Sequence, residues 1–224
     1  MAFRVPSAGS SRVAMHRLGA TLVAAAAWAG LAVQFAANLQ NGQAALEAVW
    51  TLLRFFTIIT NLLVALTMTR VALGRRVSAF VLGGLTIAIF FVAAVYVTIL
   101  RGLVLIAGVA GVANTLLHYV VPVAMGCYWL AFAPKIGLSW RDPLRWCIYP
   151  AAYLAYVVVR GSIDGRYPYP FIDVSALGYG HVAKNSVALF LAYLVAGLVL
   201  VALGLMLSQR RGARGPLGER PVNG

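Results

Sequence analysis

The chain has 224 residues, 62% of them hydrophobic and only 10% charged, with a formal net charge of +13. Soluble domains carry roughly 45–50% apolar and about 25% charged residues, so this composition excludes an ordinary soluble enzyme and predicts an all-α integral membrane bundle. The excess charge does not imply nucleic acid as a partner, because the basic residues fall in short segments between apolar spans and no basic, aromatic-interleaved recognition segment is present.

Residues 1–16, with Arg4, Pro6 and Arg12, read as a mobile basic arm. The first apolar span covers residues 18–39. It is longer than the roughly 7–15 residues of a signal-peptide core, and Gln34 and Asn38 do not suit a small-residue cleavage site. Its small residues at 24–30 favour close packing against a neighbouring helix. A polar connection leads to a second span at 49–68, closed by Arg70, Arg75 and Arg76. The third span, 77–100, contains Gly83-Gly84, a pair expected to permit close packing or a kink. Residues 101–111 are apolar and glycine-rich, suited to a shallow connection at the membrane surface.

The fourth span, 112–133, carries Asn114, His118 and Pro122, and the fifth, 144–159, carries Tyr149-Pro150. Residues 160–180 form the longest connection, with the run Tyr167-Pro168-Tyr169-Pro170-Phe171. The sixth span is 182–207, and residues 209–224 form a basic tail expected to be disordered. Spans of about 20 apolar residues match the hydrocarbon thickness, so residues 17–208 read as one six-helix transmembrane domain.

Thirteen Lys and Arg fall on the side of the amino terminus and five on the other. That bias predicts both termini in the cytoplasm and a multipass protein of the cell membrane. Spans two and four then enter from the outside. At 1.5 Å per residue, Thr57 lies about 12 Å below the outer surface and His118 about 9 Å below it.

Polar side chains in hydrocarbon are costly unless paired or used, so they mark candidate functional positions. Helical spacing places Arg54, Thr57 and Asn61 on one face of span two, and with Asn114, His118 and Asp173 they form a shallow polar level. Each has an ordinary alternative. Thr57 can bond back to its own helix, and His118 can be an interhelical hydrogen bonder instead of a general base. Arg54 can reach to headgroups, clamp a substrate carboxylate or pair with Asp173. Asn61 can join helices, orient His118 or contact an oxyanion. Asp173 can cap a helix or orient His118. A hydroxyl nucleophile needs an adjacent base, and a Thr–His dyad is the minimal form. Thr60 points about 300° around the helix from Thr57, away from the same partner. No metal-ligand spacing is present, no cofactor is implied, and Cys127 and Cys147 read as small core residues.

The aromatic pair before Thr57, the run from Asn114 to His118 with Pro122 beyond it, and Tyr169-Pro170-Phe171 together resemble one family. It is that of the androgen-induced and androgen-dependent TFPI-regulating membrane proteins, and more closely their bacterial six-span relatives, the Pr-six-Pr membrane family. The eukaryotic members are multipass threonine hydrolases of fatty acid esters of hydroxy fatty acids. The resemblance therefore implies Thr57 as nucleophile and His118 as base. This chain departs in its Thr60-Asn61 pair and in having one histidine in span four. The expected function is intramembrane hydrolysis of a lipid ester, with membrane lipids and a lipid-like ester as partners. A multipass protein that binds or moves a solute or lipid is the alternative, and the oligomeric state stays open.

Overall fold

A computed structural model describes residues 8–103 and 107–212. Nine α-helices make up the described chain, which contains no strand. They are α1 (Ala8–Gln40), α2 (Ala45–Leu52), α3 (Phe56–Ala72), α4 (Ala79–Val95), α5 (Gly108–Thr115), α6 (Val121–Ala131), α7 (Asp142–Trp146), α8 (Ile148–Asp164) and α9 (Val174–Gly212). Two π-helical turns extend α4 and join α5 to α6, at Tyr96–Leu100 and Leu116–Val120.

Four helical stretches are long and apolar enough to cross a membrane: Ser11–Gln40, Ala79–Leu100, Gly108–Ala131 and Val174–Gln209. Helices α2 and α3 make a fifth if the bent pair is taken as one span. Helix α8 has 17 residues and ends in charged side chains. The first helix starts at Ala8, so the part of the expected mobile arm that is described is helical. The rest of that arm, and the tail beyond 212, lie outside the described residues.

Polarity is arranged as a bilayer demands. Leu22, Leu66, Val123, Val159, Leu191 and Val199 face outward, whereas Thr57, Thr60, Asn61 and Thr86 are buried. The core runs through Met68, Leu82, Ile89, Met125, Trp129 and Tyr193. Helix α1 lies along α3, and its Ala20, Ala24 and Ala27 are all buried, as its small residues suggest. Gly30 admits Leu117, whose side chain would be 2.7 Å from an added Cβ. Gly83 and Gly84 likewise receive Trp146, at 2.8 Å each, and the indole donates to the Phe80 carbonyl at 3.1 Å. The glycine pair is a packing seat in an unbroken helix.

Span two is the main departure from the sequence reading. It is not one helix: α2 and α3 meet at 97°. The chain turns tightly at 53–55, with Phe55 extended (φ −93°, ψ 129°). A break inside a membrane exposes carbonyls that must find donors. Helix α8 supplies them from one face. Tyr153 donates to the Arg54 carbonyl (2.8 Å), Tyr156 to Leu53 (3.3 Å) and Arg160 to Trp50 (2.7 Å). Arg160 also lies over the Trp50 ring, 3.9 Å from its centroid. The three donors follow a spacing of three and four along α8, so one helical face seals one break.

Candidate functional site

The break sets the position of Thr57. It becomes the second residue of α3, where backbone N–H groups have no carbonyl one turn behind them. From there the Thr57 hydroxyl reaches His118 Nε2, 3.3 Å away. On its other side, His118 Nδ1 lies 3.2 Å from the Asn114 carbonyl. A carbonyl only accepts, so Nδ1 carries the hydrogen and the neutral ring turns its Nε2 lone pair to Thr57. The arrangement is that of a hydroxyl with a base, the base being oriented by a third group.

His118 sits inside the π turn, and the reason lies in Pro122. In this turn the Val121 N–H reaches back five residues to the Leu116 carbonyl. The next donor in the ladder would be Pro122, which has no N–H. The Leu117 carbonyl is thereby freed, and Asn61 Nδ2 approaches it at 3.4 Å while also donating to the Thr57 carbonyl at 2.8 Å. Asn61 thus ties the helix of Thr57 to the turn of His118. Asn61 Oδ1 is buried without a hydrogen-bond partner.

The second π turn places Tyr96 over His118. Asn114 Nδ2 donates to the Tyr96 hydroxyl at 2.7 Å, so Asn114 anchors the imidazole by its carbonyl and the stacking ring by its amide. Tyr169, from the Tyr-Pro connection, closes the other side of Thr57. Burial pushes its phenol pKa up, and the hydroxyl and backbone N–H of Thr57, with the Tyr153 hydroxyl, pull it down.

The remaining expected residues lie elsewhere. Arg54 is in the break, not on the α3 face with Thr57 and Asn61, so helical spacing does not apply to it. Its guanidinium grips Asp164 at 3.0 and 2.5 Å and donates to the Arg166 carbonyl. Arg160 adds an ion pair to the same carboxylate at 3.7 Å. Asp164 is held down at a pKa of about 2, chiefly by the Arg54 hydrogen bond. Arg54 therefore pairs with Asp164 and not with Asp173. Asp173 accepts from the backbone N–H groups of Ser175 and Ala176, at 3.0 and 3.1 Å, and from the Ser175 hydroxyl. It caps α9 and does not orient His118. Thr60 shares a 2.8 Å hydrogen bond with Tyr149, on the side away from His118.

Tyr96, Asp164 and Tyr169 complete the arrangement beyond the expected residues. Asp164 had a signal, since the chain has only five acids and this one follows closely on an apolar stretch. Tyr169 lay in a conspicuous motif without an assigned task. Tyr96 had none, being a lone aromatic in an apolar run.

Two cavities meet at Thr57. One, of about 430 Å³, is bordered by His118, Asn114 and Tyr96 on one side and by Gln34, Asn38 and Thr51 on the other. The second is a narrow apolar cleft of about 80 Å³ between Phe91, Val95, Phe171 and Phe190. Thr57, Leu100 and Tyr169 border both. Compared with protein-family models, curated proteins and solved structures, the chain matches none.

Proposed function

We propose that this protein is an intramembrane hydrolase of lipid or fatty-acyl esters, with Thr57 as nucleophile and His118 as general base. The observation that carries the reading is the 3.3 Å contact of the Thr57 hydroxyl with a ring nitrogen whose lone pair is directed by the Asn114 carbonyl. Such contacts are often loose without substrate and tighten on binding.

In the proposed reaction, Thr57 Oγ1 attacks the ester carbonyl carbon while its proton passes to His118 Nε2. The tetrahedral intermediate collapses, the C–O bond to the alcohol breaks, and Nε2–H protonates the leaving oxygen. Water then attacks the acyl-Thr57 ester with His118 again as base, releasing the acid and restoring the hydroxyl. The Tyr169 phenol, which meets the Thr57 hydroxyl and the backbone N–H groups of Phe56 and Thr57, brings these donors together beside the place where negative charge would develop. The break ahead of Thr57 thus sets it in the first turn of α3, next to Tyr169.

The six-span topology with cytoplasmic termini belongs to the same proposal. Helices α7 and α8 run on through Cys147 in helical conformation, and α8 alone is about 26 Å long at 1.5 Å per residue. As a sixth span it brings the count to an even number, as the charge bias requires. Kinship with the androgen-induced family and its bacterial Pr-six-Pr relatives is proposed on the same grounds, since the Thr and His of the motifs are the two in contact.

The test is acyl-ester turnover by purified protein, with a hydroxyl-directed fluorophosphonate probe as a second readout. Wild type should turn over ester and take the label, and Thr57→Ala and His118→Ala should lose both. Full activity in both variants defeats the dyad. Ligand-dependent stabilisation with neither product nor label favours the binding or transport alternative.

A further inference from the structure

The two cavities at Thr57 differ in chemistry, and His118 borders only the larger one. His118 must give its proton to the departing alcohol and later take one from water. Both therefore belong on the His118 side, and the acyl chain belongs in the apolar cleft. That cleft shares Leu154, Ser186 and Phe190 with an outward groove between α8 and α9, whose rim includes Leu144, Val187 and Leu191. These rim residues are among the exposed apolar side chains, so an acyl chain of any length can extend into lipid.

The alcohol side is walled by carboxamides. Gln34 donates to Asn38 at 2.9 Å, Asn38 to Gln43 at 2.8 Å, and Gln43 to Thr51 at 3.4 Å. The chain of amides leads from the cavity to the turn between α1 and α2, where Gly42 takes a left-handed conformation. Asn114 also borders the cavity; its amide nitrogen donates to Tyr96, and its Oδ1 is buried with no hydrogen-bond partner. An unpaired buried acceptor calls for a donor. A hydroxyl can donate, whereas a carboxylate or phosphate dianion only accepts. No Lys or Arg is among the described residues bordering this cavity, and the nearby Arg54 is committed to Asp164.

We infer that the alcohol side of the site takes a small uncharged polyol, so that the substrates are neutral acyl esters of glycerol-like alcohols rather than esters whose alcohol part bears an anion. The inference rests on the Thr57–His118 reading and specifies its substrate class. An anion brought against this wall of carboxamides loses hydration that no Lys or Arg among its described residues replaces.

Three esters of one acyl chain separate the possibilities: the 1-acylglycerol, the p-nitrophenyl ester and the ester of a hydroxy fatty acid bearing a free carboxylate. Purified full-length protein should show kcat/KM for the acylglycerol at least ~10-fold above that for the carboxylate-bearing ester, well within the discrimination that sites built for a hydroxyl achieve. Gln34→Leu should lower the ratio of acylglycerol to p-nitrophenyl ester turnover, through a raised KM for the acylglycerol. Asn38→Leu serves as a second variant should the first not fold, with folding checked by thermal melting. Equal or greater turnover of the carboxylate-bearing ester, or an unchanged ratio in both variants, overturns the inference. Thr57-dependent turnover of the p-nitrophenyl ester alone also overturns it, yet leaves the dyad standing. Turnover of none of the three removes both.

Discussion

The ring of Tyr96 lies on the imidazole of His118, their centroids 4.1 Å apart and their planes 28° from parallel. Two π turns from different helices make that contact, and the same tyrosine receives the Asn114 amide. Local π geometry inside α-helices is frequently found where a side chain has to be re-aimed, and here both turns serve one histidine.

Under the proposed reaction, removal of the stacking ring should loosen His118 without removing it. Tyr96→Ala is expected to lower kcat about 10- to 100-fold, the scale of a misplaced catalytic group. Tyr96→Phe keeps the stack but loses the Asn114 bond, and should fall between wild type and the alanine variant. Steady-state kinetics on one ester orders the three; equal rates for all would show that the stack does not position His118.

Asn61 offers a stability prediction. It is fully buried and bridges the Thr57 and Leu117 carbonyls. Asn61→Leu removes the donor from the Leu117 carbonyl, which Pro122 has already deprived of its helical partner. The expected loss is about 1–3 kcal/mol, the cost of a buried polar group left unpaired. Thermal unfolding in detergent measures it, and Asn61→Asp should not restore the wild-type midpoint because the carboxylate donates nothing.

The Arg54–Asp164 pair predicts a pH dependence. The carboxyl pKa is lowered from 3.8 unfolded to about 2 folded, so the folded state holds fewer protons in that interval. The pair's stabilisation is present above pH ~4 and is lost as pH falls towards ~2. The melting midpoint should drop across that window in wild type and drop less in Asp164→Asn. Arg54→Met should lower the midpoint at neutral pH as well, since the Arg166 carbonyl loses its donor too.

Gly83 tests the packing seat. An added side chain would meet the Trp146 ring 2.8 Å from Cβ, and an indole wedged against two helices cannot withdraw cheaply. Gly83→Val is expected to cost about 1–3 kcal/mol by overpacking. A neutral effect on the melting midpoint would mean that Trp146 has room to move.

The sequence by itself determined the helical architecture and pointed to a membrane protein, and it singled out Arg54, Thr57 and Asn61 among the buried polar residues but not Thr86, Lys135, Asp142 or Arg160. The physical reason is that hydrocarbon tolerates only helices or closed barrels and penalises each unpaired polar group, so 62% apolar composition and a few isolated Thr, Asn and His residues are already informative. Thr57 and His118 were legible for that reason, as was the close-packing role of Gly83-Gly84. Only the tertiary structure decided who pairs with whom. Residues 49–68 satisfy the hydropathy of one straight helix, and nothing local in them announces a 97° break. The break exists because Tyr153, Tyr156 and Arg160, about a hundred residues away, supply its donors. The same distance in sequence separates Arg54 from Asp164, which is why helical spacing placed Arg54 on the face of Thr57 and Asn61, while of the two tasks open to Asp173 the structure shows the helix cap.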